Sequence, residues 1–145
     1  LLSSPELAVQ ISDLAKFMRF GTTLSPRWVE LAIITTARFW TAQYEWYAHA
    51  GFARTAGVEE HIIQSIKANR RPDFADPNDA TVYAACHQLH HDHQMSDETY
   101  RQATDLLGEQ GLIELIGVIG FYTLVSMTLN TIQIPVPEGE ELPPA

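Results

Sequence analysis

Cysteine is almost missing from this chain of 145 residues. Cys86 stands alone, which excludes an intrachain disulfide, a CxxC redox pair and any cysteine-built zinc site. A lone thiol fits a reducing, cytoplasmic setting. Positive charge is also scarce. Nine lysines and arginines face 18 acids, and the formal net charge of −9 argues against a nucleic-acid surface or an anionic membrane as partner. It leaves room for a small anionic substrate, because one arginine can reverse the field locally. No stretch alternates polar and apolar residues as a strand would, and neither a repeat nor a second domain is visible. The opening Leu1-Leu2-Ser3-Ser4-Pro5 lacks the basic region and apolar core of a signal peptide, so none is expected. The chain also begins without methionine, consistent with a longer natural chain.

Apolar residues, at 46%, are abundant enough to fill a core. Their spacing is helical throughout. Residues 5–20 place Leu7, Ile11, Leu14, Ala15 and Met18 on one stripe before Gly21 breaks it. Ser25-Pro26 is a start signal, a capping hydroxyl followed by proline at the first helical position, and opens a helix to about residue 40. That helix is apolar nearly all round and therefore buried. Further helices are expected over 44–56, ending at Gly57, and over 58–68. Residues 69–78 hold Pro72 and Pro77 and read as a loop. Helices then follow over 79–93, from a Ser96 cap to about Gly108, and over 112–132. The last carries one charge, Glu114, and is near the minimum length for a membrane span, but reads better as the core helix of an oligomer. Gly117 and Gly120 in it would let another backbone approach. The expectation is an all-α, single-domain bundle of about seven helices over residues 1–134, with a proline-rich acidic tail, 135–145, that is extended or disordered.

The chemistry concentrates in Arg38-Phe39-Trp40-Thr41-Ala42-Gln43-Tyr44-Glu45-Trp46-Tyr47-Ala48-His49. Glu45 and His49 are four apart and share a helical face, and a carboxylate beside an imidazole is a proton-transfer pair near neutral pH. Glu30 sits mid-helix among large apolar residues, where a carboxylate must be paired or protonated. Taken alone it reads first as half of a structural ion pair, with Arg27 one turn back or another arginine, and second as a relay acid. Arg27, Arg38 and Arg54 could each grip a substrate carboxylate; Arg38, closing the buried helix, is the best placed, unless it pairs with Glu30 or Glu45. Tyr44 and Trp46 flank the pair and join Arg38 as expected substrate-binding residues. The run His87-Gln88-Leu89-His90-His91-Asp92-His93 could chelate a metal through His87 and His91, but reads better as a polar helix end, so no metal is expected. Cys86 reads as a small buried filler, not a nucleophile.

Arg27-Trp28-Val29-Glu30-Leu31-Ala32-Ile33, Ala37-Arg38-Phe39-Trp40, Ala42-Gln43-Tyr44-Glu45-Trp46 with His49, Gly57-Val58, and Gly120-Phe121-Tyr122-Thr123-Leu124-Val125-Ser126-Met127-Thr128-Leu129-Asn130 with Pro135-Val136-Pro137 together resemble the carboxymuconolactone decarboxylase family, within the alkylhydroperoxidase-D-like superfamily. The resemblance implies an all-helical fold, a homo-oligomer (trimer or hexamer) and a cofactor-free lyase of aromatic catabolism acting on a small anionic lactone. The superfamily's peroxidase branch carries a CxxC pair before the histidine and a glutamate upstream. Laid on this chain, that pattern puts Ala42 and Glu45 at the cysteine positions, His49 at the histidine and Glu30 at the glutamate. Thiol–disulfide peroxidase chemistry therefore has no thiols here. In a decarboxylase, His49 would donate the proton, Glu45 and Glu30 would orient it and keep it charged, and Arg38 would anchor a carboxylate. The competing readings are an alkylhydroperoxidase-like antioxidant protein, disfavoured without CxxC, and a non-catalytic oligomeric small-molecule-binding protein.

Overall fold

The computed structural model describes residues 3–140 and 142–144. Leu1 and Leu2, in the segment tested above for a signal peptide, and Glu141 and Ala145 of the tail lie outside the described residues. The architecture is all-helical: α1 (Pro5–Phe20), α2 (Pro26–Phe39), α3 (Gln43–Thr55), α4 (Glu60–Lys67), α5 (Pro77–His91) and α6 (Asp97–Ile132). α6 spans the last two expected helices, which meet at a kink at Gly108, where the first was expected to end; its φ of 68° and ψ of 174° belong to no helix. That conformation is open essentially to glycine alone.

α2 is the central element, packed against α3, α5 and α6 and touched by α1 and α4. Every residue from Val29 to Ala37 is buried, as an all-round apolar sequence requires. The Ser25 hydroxyl accepts the Trp28 N–H at 3.3 Å, and Pro26 supplies the fixed φ of a first helical residue. A second cap was misread in the sequence. The proposed loop through Asn78 ends earlier, because the Asp76 carboxylate accepts the Asn78 N–H at 2.8 Å and Pro77 starts α5 instead of extending the loop. This early start places Asp79 in the first turn of α5, buried against α2. Its carboxylate accepts Nε of Arg27 at 3.0 Å and Nε1 of Trp28 at 3.0 Å. Arg27 also donates to the Gly57 carbonyl and to Glu59, and these carboxylates hold its pKa above the ordinary arginine range. Arg27 is therefore a structural clasp, and not the partner of Glu30.

α6 is long and apolar enough to cross a membrane by length and composition. Its second half is buried on one face through Leu112, Leu115, Val118, Ile119, Phe121 and Tyr122. Its single charge there, Glu114, is used locally: the carboxylate accepts the Thr23 N–H and hydroxyl, both at 2.6 Å, and pins the turn between α1 and α2. α1 lies outermost. It has no buried residue, and Leu14, Phe17 and Phe20 are exposed while Ile11, Ala15 and Met18 rest on the core. Of the two glycines expected to admit a neighbour, Gly117 faces the Met18 side chain of α1, whereas Gly120 faces open space. The end of the tail is laid down on the bundle. Leu142 packs on the core, and the buried Pro143 offers its carbonyl to Gln43 Nε2 at 2.9 Å.

Candidate functional site

α2 and α3 form a helical hairpin across the short turn at Thr41, a residue held at φ 46°. From Thr41, Glu30 lies about three turns back along α2 and His49 about two turns forward along α3, near enough in height for the hairpin to bring them together. His49 Nδ1 stands 2.7 Å from Glu30 Oε2. His49 Nε2 stands 3.1 Å from Oε1 of Glu45, one turn earlier on the same helix. All three side chains are buried, at 8%, 8% and 6% exposure for His49, Glu30 and Glu45. Burial opposes a charged imidazole, but hydrogen bonds to Glu30 and then Glu45, with the attraction of both charges, outweigh it and raise the His49 pKa above its ordinary value. The site therefore stores a proton on a ring whose two nitrogens both face carboxylates.

Two further side chains complete the cluster. Arg19, from the last turn of α1, places Nη2 3.5 Å from Glu30 Oε1, and its guanidinium lies over the rings of Phe20 and Phe52 at 4.9 and 4.6 Å. Its Nε is buried without an acceptor, while the side chain as a whole keeps 26% exposure. Arg19 thus bridges the buried carboxylates and the surface with donors to spare. Tyr122 of α6 sets its ring edge-on to His49 at 5.1 Å. Burial, and after it the charge of Glu45, hold the Tyr122 phenol well above its ordinary pKa, so it stays a neutral O–H donor. Phe52 closes the other side of the imidazole at 5.5 Å.

The structure thus gathers Glu30, Glu45 and His49, and leaves the expected substrate-binding residues apart from them. Arg38 is committed elsewhere: Nε donates to the Lys67 carbonyl at 2.9 Å and Nη1 to Thr41 Oγ1 at 3.1 Å. Eight residues beyond Glu30, it lies about 12 Å further along the axis of α2. The cation beside Glu30 is Arg19 instead. Tyr44 is exposed and meets Tyr47, with ring centroids 6.0 Å apart. Trp46 is 2% exposed and faces a different cleft, of about 280 Å³, with Tyr47 and Arg54. Tyr44 and Trp46 are each one step along α3 from Glu45, so their side chains are turned by about 100° from that carboxylate. Arg54 is paired with Glu60 at 2.7 Å. Cys86 is fully buried between Thr36 and the Ala32 carbonyl, and burial pushes its thiol up to about 12, so it is no nucleophile. Among the described residues no group of three or more His, Cys, Asp and Glu is arranged to hold a metal.

Arg19 and Tyr122 were missed by sequence reasoning. Arg19 is the one cation in the last turn of α1, and Tyr122 lies in the late segment that carried the family resemblance. Those two features were the available signals.

No family model and no curated protein matches the chain. Among solved structures it is similar to one from Agrobacterium tumefaciens described as "a Protein of Unknown Function ATU0492", "Putative Antioxidant Defence Protein AhpD". The TM-score is 0.81, at 12% identity and over 93% of each chain. At that identity the likeness shows a shared helical fold and leaves the chemistry to the site.

Proposed function

We propose that the chain is a cofactor-free carboxy-lyase that decarboxylates a small conjugated lactone or related carboxylic acid and protonates the resulting carbanion. The observation that carries this reading is a buried imidazole held between two carboxylates with a raised pKa. Such a group is charged near neutral pH, shielded from bulk water and positioned to give up one proton. In the proposed reaction the bond between the ring carbon and its carboxylate breaks, CO2 leaves, and the electron pair passes through the double bond to the lactone carbonyl. The dienolate then takes a proton at carbon. One proton is consumed for each CO2 released, and His49 recovers it from solvent.

The geometry supports a division of parts. Glu30, at the shorter distance and anchored by Arg19, fixes the ring through Nδ1. Glu45, at 3.1 Å, is the looser partner. Substrate displaces it from Nε2, and that nitrogen becomes the donor. Arg19 takes the anchoring role first assigned to Arg38, because it stands beside Glu30 and its side chain is partly exposed. The neutral Tyr122 hydroxyl supplies a hydrogen bond to the developing enolate oxygen. The exposed apolar residues of α1 and α6 support a second element of the proposal, a homo-oligomer that encloses the site.

The test is CO2 release from carboxymuconolactone and a panel of related lactones. Wild type turns over at least one of them, and His49→Ala, with an unchanged helical spectrum, loses about 10²-fold or more in kcat. Full activity in folded His49→Ala would defeat the assignment. The antioxidant reading suggested by the similar structure's description predicts peroxide consumption with a dithiol donor that disappears in Cys86→Ser; the burial of Cys86 argues against it.

A further inference from the structure

A second concentration of polar side chains lies where residues 68–76 pass beside α5, on the far flank of α2 from His49. Arg38, Arg70 and Arg71 supply three of the chain's nine basic residues to this region. Two clefts adjoin there. One, of about 20 Å³, is lined by Arg38, Arg70 and His91, and the other, of about 500 Å³, by Arg71; they share Asn69, Tyr83 and His87. Tyr83, His87 and His91 succeed one another at four-residue intervals, with ring centroids 5.6 and 4.2 Å apart, and form one wall.

Elsewhere Arg19, Arg27 and Arg54 each sit on a carboxylate. Here Arg70 and Arg71 do not. Among the described residues, the side chains of Asn69, Arg70, Arg71, His87 and His91 make no hydrogen bond or ion pair with protein. The backbone of the segment is nonetheless fixed, with the Asn69 N–H on the Ile66 carbonyl and the Arg70 N–H on the Ser65 carbonyl, both at 2.9 Å. Donors without acceptors, carried on a fixed backbone, are what an oxyanion site requires. The positive charge comes from the arginines. Burial and the neighbouring His91 lower the His87 pKa, and burial takes His90 down to about 4, so these imidazoles act as neutral donors. The one acid on the wall, Glu98, stands on α6 and accepts Gln102 Nε2 at 3.2 Å.

We infer that this groove binds a small organic oxyanion, a carboxylate or phosphate ester on a flat hydrocarbon body, with Arg70 and Arg71 gripping the charged end. The larger cleft falls within the range of roughly 300–1,000 Å³ typical of small-molecule sites and exceeds what a bare inorganic ion fills. Its floor of Pro77, Ala80 and Ala84 is apolar and suits a hydrocarbon body. With a net charge of −9 the rest of the molecule repels an extended polyanion, so the ligand is small. The inference stands independently of the reaction proposed at His49.

Isothermal titration of the full chain with phthalate, phenyl phosphate and inorganic phosphate tests it. At least one of the two organic anions binds with Kd below about 1 mM, and inorganic phosphate binds at least about tenfold more weakly. Which organic anion binds more tightly tells carboxylate from phosphate. Arg70→Ala/Arg71→Ala, at two exposed positions, weakens the organic anion at least about tenfold, whereas Lys16→Ala, also exposed but on α1, leaves it unchanged. If the double variant melts differently from wild type, amide chemical shifts of wild type report the site instead, with perturbations over residues 69–71 and 80–91. No binding by either organic anion, equal binding of inorganic phosphate, loss in Lys16→Ala, or perturbations centred on residues 45–52 would each overturn the inference.

Discussion

A buried histidine ordinarily gives up its charge, since desolvation disfavours the cation. His49 keeps it because the two carboxylates flanking the ring repay that cost, and the sign of the resulting pH dependence follows. Its folded pKa is raised above the ordinary 6.5, so between that value and the raised one the native state binds more protons than the unfolded chain. The stabilisation is complete below the unfolded pKa and is lost as pH rises through the folded one. Thermal melts of wild type should therefore show Tm falling across that window, relative to a His49→Gln variant in which this contribution is absent. Glu30→Gln should lower the His49 pKa, because an amide replaces the charge 2.7 Å from Nδ1; two-dimensional NMR of the imidazole reads this directly. Arg19→Lys separates anchoring from proton transfer. A lysine keeps the charge but not the planar fork, so KM for a lactone acid should rise about tenfold or more, with kcat changed less. A fall in kcat alone would assign Arg19 to the chemistry instead.

At the scale of elements, two features outside the site hold it in shape. Asp79 ties the start of α5 to the start of α2 and is 2% exposed at its side chain. Asp79→Ala strands the Arg27 guanidinium and the Trp28 N–H, and should cost about 3 kcal/mol in urea unfolding. The Gly108 break aims the second half of α6, with Tyr122, into the core. Gly108→Ala meets no neighbouring atom within 4 Å, so its whole cost is backbone strain, about 1–3 kcal/mol. Gly51→Ala, equally free of neighbours but inside α3, should instead gain about 1 kcal/mol. These elements also show how far the sequence could be read. Helix type and most boundaries followed from apolar period and from caps such as Ser25-Pro26 and Ser96, because both act within a few residues. The start of α5 was missed because Pro77 reads equally as a loop residue until Asp76 is known to cap. Glu30, Glu45 and His49 were findable because a four-residue spacing and one hairpin suffice to join them. Arg19 and Tyr122 were not, because their contacts depend on how α1 and α6 pack on the hairpin. Arg38 failed for the same reason, since the Lys67 carbonyl that claims it belongs to α4.

At the scale of the whole molecule, the second half of α6 has more apolar surface than one copy can cover. Its inner face is buried, yet Ile113, Ile116, Leu124 and Met127 are 68%, 41%, 37% and 42% exposed. With Gly120 they fall at helical spacings of three and four, on a single stripe about 80° wide opposite the core. Gly120 at its centre has no atom within 4 Å of where a Cβ would stand, which leaves room for a second helix to come close. α1 adds Leu14, Phe17 and Phe20, at 42%, 47% and 74% exposure, and the last turn of α1 carries Arg19. Exposed apolar surface of this kind favours burial, which contributes roughly 25 cal/mol per Å², and the homo-oligomer proposed above would supply it. A second copy is the occupant that best suits it, since a stripe with glycine at its centre can pack against itself about a twofold or threefold axis. Sedimentation velocity should therefore find wild type as a closed oligomer at micromolar concentration. Leu124→Lys, which places a charge on the stripe without touching the buried face, should shift it to monomers while the helical spectrum is kept. If the oligomer encloses the His49 site, that variant should also lose lactone decarboxylation although every residue of the cluster is intact. Monomeric wild type at tens of micromolar would separate the two ideas, leaving the proton-transfer cluster to be judged on its own and the stripe without a partner copy.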